Sequence, residues 1–132
     1  MCCCEKNSSI KLIGYVFSGS GVAKDHAHLW QKHLKQLTGT EMFAGTLNVK
    51  LSQPLHMLAA SAKSFRVQKG VFKLWSCTIN GHKAYIVKPP LASWPSTVLE
   101  IMSHEKLRSV LHLKDGDRVI VELCISHQAR DN

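Results

Sequence analysis

Three short stretches of this chain carry residue types that phosphate chemistry needs. The first is Ser18-Gly19-Ser20-Gly21, which follows an apolar strand-like run and precedes a helical pattern. Glycines let backbone N–H groups approach phosphate oxygens closely, and a helix N-terminus adds partial positive charge. Lys24 supplies a full charge. A plain turn accounts for the same four residues, because neither the full P-loop pattern nor the dinucleotide fingerprint is present. The second is Gly45-Thr46-Leu47-Asn48. With Leu47 pointing into a core, Thr46 and Asn48 share the opposite face of a strand, since side chains alternate along it. A hydroxyl beside an amide carbonyl is a pair of hard oxygen donors of the kind Mg²⁺ takes next to phosphates. Two solvated polar residues at a strand entry are the alternative. The third is Ser103-His104-Glu105-Lys106-Leu107-Arg108, where Lys106 and Arg108 suit an anion and the alternative is a solvated helix face. His26, His28 and His33 also cluster, but no carboxylate or cysteine follows them at a metal-ligand spacing. No Ser/His/Asp or Cys/His nucleophile arrangement stands out.

These residues need elements to hold them. Residues 10–17 are apolar and β-branched, which suits a first strand. Over 27–37, Leu29, Trp30, His33, Leu34 and Leu37 recur at three- and four-residue spacing, one apolar face of a helix. Asp25 is its expected N-cap and Gly39 its stop. Residues 45–51 form a turn and then a strand, and 54–62 hold a short helix. Asn80-Gly81 between 71–79 and 82–87 is the strongest short hairpin signal in the chain. A strand over 98–102, a short helix over 105–111, a turn at 113–117 and a closing strand over 118–125 complete the pattern. Short strands with one early and one late helix predict a mainly β fold with short helices, a small barrel rather than a βαβ sheet. Trp30, on the apolar helix face, and Trp75, inside a strand, read as core.

The 132 residues suit one domain, expected over 10–126 between a disordered 1–9 segment and a 127–132 tail. A 45% hydrophobic content supplies a core, and no apolar run approaches a membrane span. The start shows no secretory leader, and the cysteines offer no framework of well-spaced bridges, so the reduced cytoplasm is the expected setting. Of five cysteines, Cys2, Cys3 and Cys4 are adjacent, while Cys77 and Cys124 lie in strand-like runs and read as core. The net charge of +8 favours an anionic partner or simply aids solubility.

Taken in order, Gly14-Tyr15-Val16-Phe17-Ser18-Gly19-Ser20-Gly21, then a helix, then Phe43-Ala44-Gly45-Thr46-Leu47-Asn48-Val49-Lys50-Leu51 resemble the archaeal CTP-dependent riboflavin kinases. Tyr85-Ile86-Val87, Glu100-Ile101-Met102, Lys106-Leu107-Arg108 and Leu113-Lys114-Asp115-Gly116-Asp117-Arg118-Val119 extend the likeness over almost the whole chain. The resemblance implies a six-stranded cradle-loop β-barrel that transfers the terminal phosphate of CTP to riboflavin, giving CDP and FMN. It implies a nucleotide loop at Ser20, Gly21, Val22, Ala23, Lys24 and Asp25, with a second nucleotide segment at Glu105, Lys106, Leu107 and Arg108. Thr46 and Asn48 would hold Mg²⁺, and Glu100 would contact the flavin. Glu100 is also the carboxylate to test as the base.

Two stretches depart from the family pattern. The loop reads Gly21-Val22-Ala23 where the family usually has Gly-Glu-Gly. Ahead of Glu100 stands Ala92-Ser93-Trp94-Pro95-Ser96-Thr97, with Ser93 the substitute for a flavin-contacting threonine. The alternative functions are a non-catalytic barrel that binds a nucleotide, a flavin or another phosphorylated small molecule, and a nucleic-acid-binding barrel. The latter is disfavoured, because only about ten residues precede the first strand and they hold no helix-turn-helix.

Overall fold

Side-chain alternation builds most of this molecule. A computed structural model describes residues 8–19, 22–55, 62–67, 70–90 and 96–125. The elements in chain order are β1 (Ser8–Phe17), α1 (Val22–Thr38), β2 (Leu47–Leu55), β3 (Lys63–Val67), β4 (Gly70–Ile79), β5 (His82–Lys88), β6 (Ser96–Met102), α2 (Leu107–Val110) and β7 (Arg118–Ile125). All strand pairs are antiparallel, in the order β3-β4-β5-β6-β2-β1-β7, and β4 also pairs β7. That last pairing closes a six-stranded ring. β4 can do this because its first half pairs β3 while its second half, from Cys77 to Ile79, pairs β7. The mainly β barrel expected from the sequence is the fold observed.

The ring has an inner and an outer core. Val16, Val49, Ile79, Ile86, Leu99, Ile101, Val121 and Leu123 fill the interior. On the outside, α1 lays Leu34 over Phe72, Leu74, Tyr85, Val87 and Met102. Trp30 packs on Phe72 with ring centroids 4.8 Å apart, and His33 stacks on Phe65 at 4.6 Å. Trp75 and Cys77 are buried, as expected. Asn80 (φ 48°) and Gly81 (φ 83°) make the turn between β4 and β5. Positive φ at both central residues matches the right-handed twist of the flanking strands. The Asn80 backbone N–H also donates to the Ile120 carbonyl at 2.8 Å, while its side-chain oxygen accepts from the Ile120 N–H at 2.9 Å, so the hairpin tip is sewn to β7.

Several expectations need correction. Ser8 and Ser9, expected to be disordered, pair with Ile125 and Cys124 in the β1–β7 ladder. α1 starts at Val22, so Asp25 lies in its first turn and is not the N-cap. Gly39 does stop it, at φ 84°, with its N–H donating to the Lys35 carbonyl at 2.8 Å. Pro54 and Leu55, placed in a short helix, continue β2 past an irregularity in register between Lys50 and Leu55, where a missing proline N–H costs no ladder bond. The rest of that helix lies mostly outside the described residues. The late helix is one turn, Leu107–Val110, and excludes Glu105. β3 had no counterpart in the sequence reading; its Phe65 stacks on Phe72 at 4.8 Å and extends the outer core. Residues 1–7 with Cys2, Cys3 and Cys4, the 127–132 tail, Trp94, and the side chains of Cys124, His26 and His28 lie outside what is described. No helix among the described residues is long and apolar enough to cross a membrane.

Candidate functional site

Register brings the strand-borne candidates into one row. Phe17 on β1 pairs Asn48 on β2, Asn48 pairs Glu100 on β6, and Glu100 pairs Val87 on β5. Leu47 and Val49 point into the barrel, so Asn48 and Glu100 share its outer face, beside the layer covered by α1. Thr46, just ahead of β2, donates its hydroxyl proton toward Glu100 Oε1 at 3.5 Å. Burial pushes the Glu100 carboxyl above the ordinary glutamate value, and the Thr46 hydrogen bond opposes that shift.

The segment that delivers Thr46 is tied down at two adjacent residues, Met42 and Phe43. Gln31 on α1 donates to the Met42 carbonyl at 2.7 Å and accepts from the Met42 N–H at 3.2 Å. The Phe43 N–H donates to the Ser103 carbonyl at 2.8 Å, linking this segment to the end of β6. Gly19 lies directly on Asn48: a Cβ at residue 19 would run into the Asn48 amide. Gly19 and Asn48, separate in the sequence, therefore meet, with Thr46 beside them through Glu100.

Arg108 joins them from α2. Its Nη2 donates to Asp115 Oδ1 at 2.6 Å and to the Phe17 carbonyl at 3.3 Å. Ser18 Oγ donates to the other carboxylate oxygen of Asp115 at 2.7 Å. The hydrogen bond from Arg108, followed by that from Ser18, holds the Asp115 carboxyl below the usual aspartate range. Sequence reasoning missed Asp115 as a site residue and saw only a turn. The turn is anchored because the Gly116 N–H donates to the Val16 carbonyl at 2.7 Å and the Val16 N–H to the Asp117 carbonyl at 2.9 Å. Gly116 sits at φ 93°, and the Asp117 carboxylate caps the Lys114 N–H at 2.9 Å.

Other candidates go elsewhere. The Leu107 side chain is buried in the inner core. Glu105 faces His82 at 3.4 Å and His104 at 3.7 Å, toward the β4–β5 hairpin rather than toward Arg108. Lys106 is exposed, with Nζ 6.0 Å from the Phe43 ring centroid. Val22, Ala23, Lys24 and Asp25 lie in the first turn of α1, whose N–H groups lack intrahelical partners; their side chains are outside the described set. Ser20, Gly21 and Ser93 are outside it altogether. A cavity of about 270 Å³ is lined by Thr38, Thr40, Met42, Lys83, Tyr85 and His104, of which only His104 lies in a candidate stretch. Among the described residues no group of three His, Cys, Asp or Glu side chains could hold a metal.

What this surface can do chemically is bind an oxyanion beside a polar row that ends in a half-buried carboxylate. Known proteins are similar to the chain in sequence over most of its length. A family model named CTP-dep_RFKase, described as a domain of unknown function (DUF120), matches residues 16–123. A riboflavin kinase of Archaeoglobus fulgidus is 31% identical over 92% of this chain and 58% of its own length. One from Pyrobaculum aerophilum is 33% identical over 89% of this chain and 62% of its own length. One from Staphylothermus marinus is 31% identical over 88% of this chain and 92% of its own length. The chain thus spans about three-fifths of the first two relatives and nearly all of the third.

Proposed function

The chain belongs to the CTP-dependent riboflavin kinase family, and from that premise we propose that it transfers the terminal phosphate of CTP to a hydroxyl of riboflavin, giving CDP and FMN. The observation that carries this reading is the convergence of Thr46, Asn48 and Glu100 with Arg108 and Ser18-Gly19 on one part of the barrel's outer surface. Phosphoryl transfer asks mostly for positioning and charge neutralisation, which such a set supplies without a protein nucleophile.

The roles divide by chemistry. Ser20, Gly21, Val22, Ala23, Lys24 and Asp25 are assigned to the phosphates by sequence position, with the first turn of α1 offering backbone N–H groups and Lys24 adding charge. Arg108 and Lys106 contribute cations, and Leu107 anchors that segment through its buried side chain. Thr46 and Asn48 fit Mg²⁺: both offer a hard oxygen on one face, and the Thr46 hydroxyl, having given its proton toward Glu100, keeps lone pairs for a cation. When bound, the ion would neutralise phosphate charge. Glu100, raised by burial, contacts the flavin and takes the proton of its attacking hydroxyl; a carboxylate closer to neutral pH is the better base. Ser93 is assigned to the flavin by its sequence position. A cytoplasmic setting and a single functional unit over residues 10–126 belong to the same reading.

The test is an end-point reaction of the folded protein with Mg²⁺, riboflavin and each of CTP, ATP, GTP and UTP, read as FMN by chromatography. FMN formed preferentially with CTP is expected. No FMN from folded protein with any donor would overturn the kinase; a thermal shift with nucleotide or flavin would then favour a binding-only barrel.

A further inference from the structure

Asp115 belongs to neither the strand row nor the nucleotide segments assigned above, yet it touches both loop-borne parts of the site. Its two oxygens are spent separately. Oδ1 receives Arg108 at 2.6 Å and Oδ2 receives Ser18 at 2.7 Å. Ser18 is the residue at which β1 gives way to the glycine-rich turn, next to the Gly19 backbone that lies on Asn48. Arg108 meanwhile sends Nη2 to the Phe17 carbonyl at 3.3 Å. Two segments far apart in the chain are thereby locked to one carboxylate; Ser18 and Asp115 are 97 positions apart. Asp115 can serve as a fixed post because Gly116 and Asp117 are pinned to Val16 through backbone hydrogen bonds.

Among the described residues, Arg108 makes its side-chain contacts through one nitrogen. A guanidinium has five N–H donors in a planar fork, and both contacts found here use Nη2. Among the described residues none meets the remaining edge, which would face a phosphate oriented by the edge that is held. A carboxylate this close to an anion site has one electrostatic drawback, since it offsets part of the arginine's charge. Positioning and screening therefore predict opposite signs when it is removed.

We propose that Asp115 is a positioning residue that sets Arg108 and the Ser18-Gly19 stretch in register with each other for nucleotide binding. The proposal rests on the kinase reading above, and its test separates the two. Binding of CDP with Mg²⁺ is measured by calorimetry, and KM for CTP and for riboflavin by FMN formation, in the whole chain and in Asp115→Ala, Asp115→Asn and Ser18→Ala. With wild type binding CDP, Asp115→Ala is expected to weaken CDP binding and raise KM for CTP by about tenfold, the scale of a lost charge-assisted hydrogen bond, with KM for riboflavin unchanged. Asp115→Asn, which keeps one acceptor oxygen, falls between. The Ser18→Ala and Asp115→Ala effects are less than additive in the double variant, because both break one clasp. A merely structural residue would not single out one substrate's KM. Equal or tighter CDP binding by folded Asp115→Ala or Asp115→Asn, with wild type binding normally, overturns the positioning role alone. Wild type that neither binds CDP nor forms FMN overturns the kinase reading and this role with it.

Discussion

On one side of the site the side chains hang from paired strands, and on the other they hang from turns. Asn48 and Glu100 are held by the β1–β2–β6–β5 ladder, in which a one-residue slip would turn every side chain to the other face. Ser18, Arg108 and Asp115 have no ladder of their own; hydrogen bonds between side chains, and from side chain to backbone, fix them. The strand half contains a carboxylate pushed up by burial, and the loop half one held down by its partners. Position secured by register is rigid and cheap to specify locally. Position secured by a clasp needs residues from distant segments to meet, and it can be undone one side chain at a time.

That contrast can be broken from either side. The largest effect is expected from removing both oxygen donors of the strand half. Thr46→Ala with Asn48→Ala should lower Mg²⁺-dependent FMN formation on the order of 10²–10³-fold while circular dichroism stays unchanged, since neither side chain belongs to a core. Equal turnover would remove both residues from the site.

Next is the ladder itself. A Cβ at Gly14 would run into Val49 and stand 2.8 Å from the Lys50 carbonyl, where backbone cannot yield easily. Gly14→Ala should cost about 1–3 kcal/mol in urea unfolding, as overpacked interiors do. An unchanged midpoint would show that β1 and β2 can part without loss, against the rigid half of the comparison.

For the loop half, Arg108→Lys keeps a charge but loses the fork that meets Asp115 and Phe17 together. KM for CTP should rise by about tenfold with KM for riboflavin unchanged. A shift in riboflavin KM alone would move Arg108 to the acceptor side.

The smallest effect is in pH, and the halves should respond with opposite sign. Glu100 has a folded value raised above the unfolded one, so its contribution to stability is fully present below the ordinary glutamate range and is lost as pH rises through the folded value. Asp115 has a folded value below the unfolded one, so its contribution is present above the ordinary aspartate range and lost as pH falls through the folded value. Relative to wild type, Glu100→Gln should therefore gain stability as pH rises, and Asp115→Asn should lose it as pH rises from acid. Carboxyl carbon NMR titration checks both directions. Matching directions would mean that the two carboxylates share one environment.

Much of the strand half was legible in the sequence. Alternation in Leu47-Asn48-Val49 put Asn48 on the face away from the core, and the apolar stripe of Leu34 and Leu37 announced the helix that covers that face. Asn80-Gly81 named its own hairpin, because positive φ at two successive residues is a local demand that these residue types meet. The errors fell where local preference met a distant partner. Asp25 looks like an N-cap, but the helix begins three residues earlier. Pro54 looks like a helix start, but it continues a strand. Lys63–Val67 is a strand because Phe65 finds Phe72 across the sheet and His33 above it.

Residue order alone thus determined the periodicities, the hairpin and the order of the chemical groups, all of which depend on neighbours within a few positions. The tertiary structure decided which groups meet. Barrel closure by the second half of β4, the seating of Gly19 on Asn48, the burial of Leu107 and the meeting of Ser18 with Asp115 each depend on contacts between segments far apart in the chain. Such contacts leave no period in the sequence, because their geometry exists only after the ladder has brought the segments together.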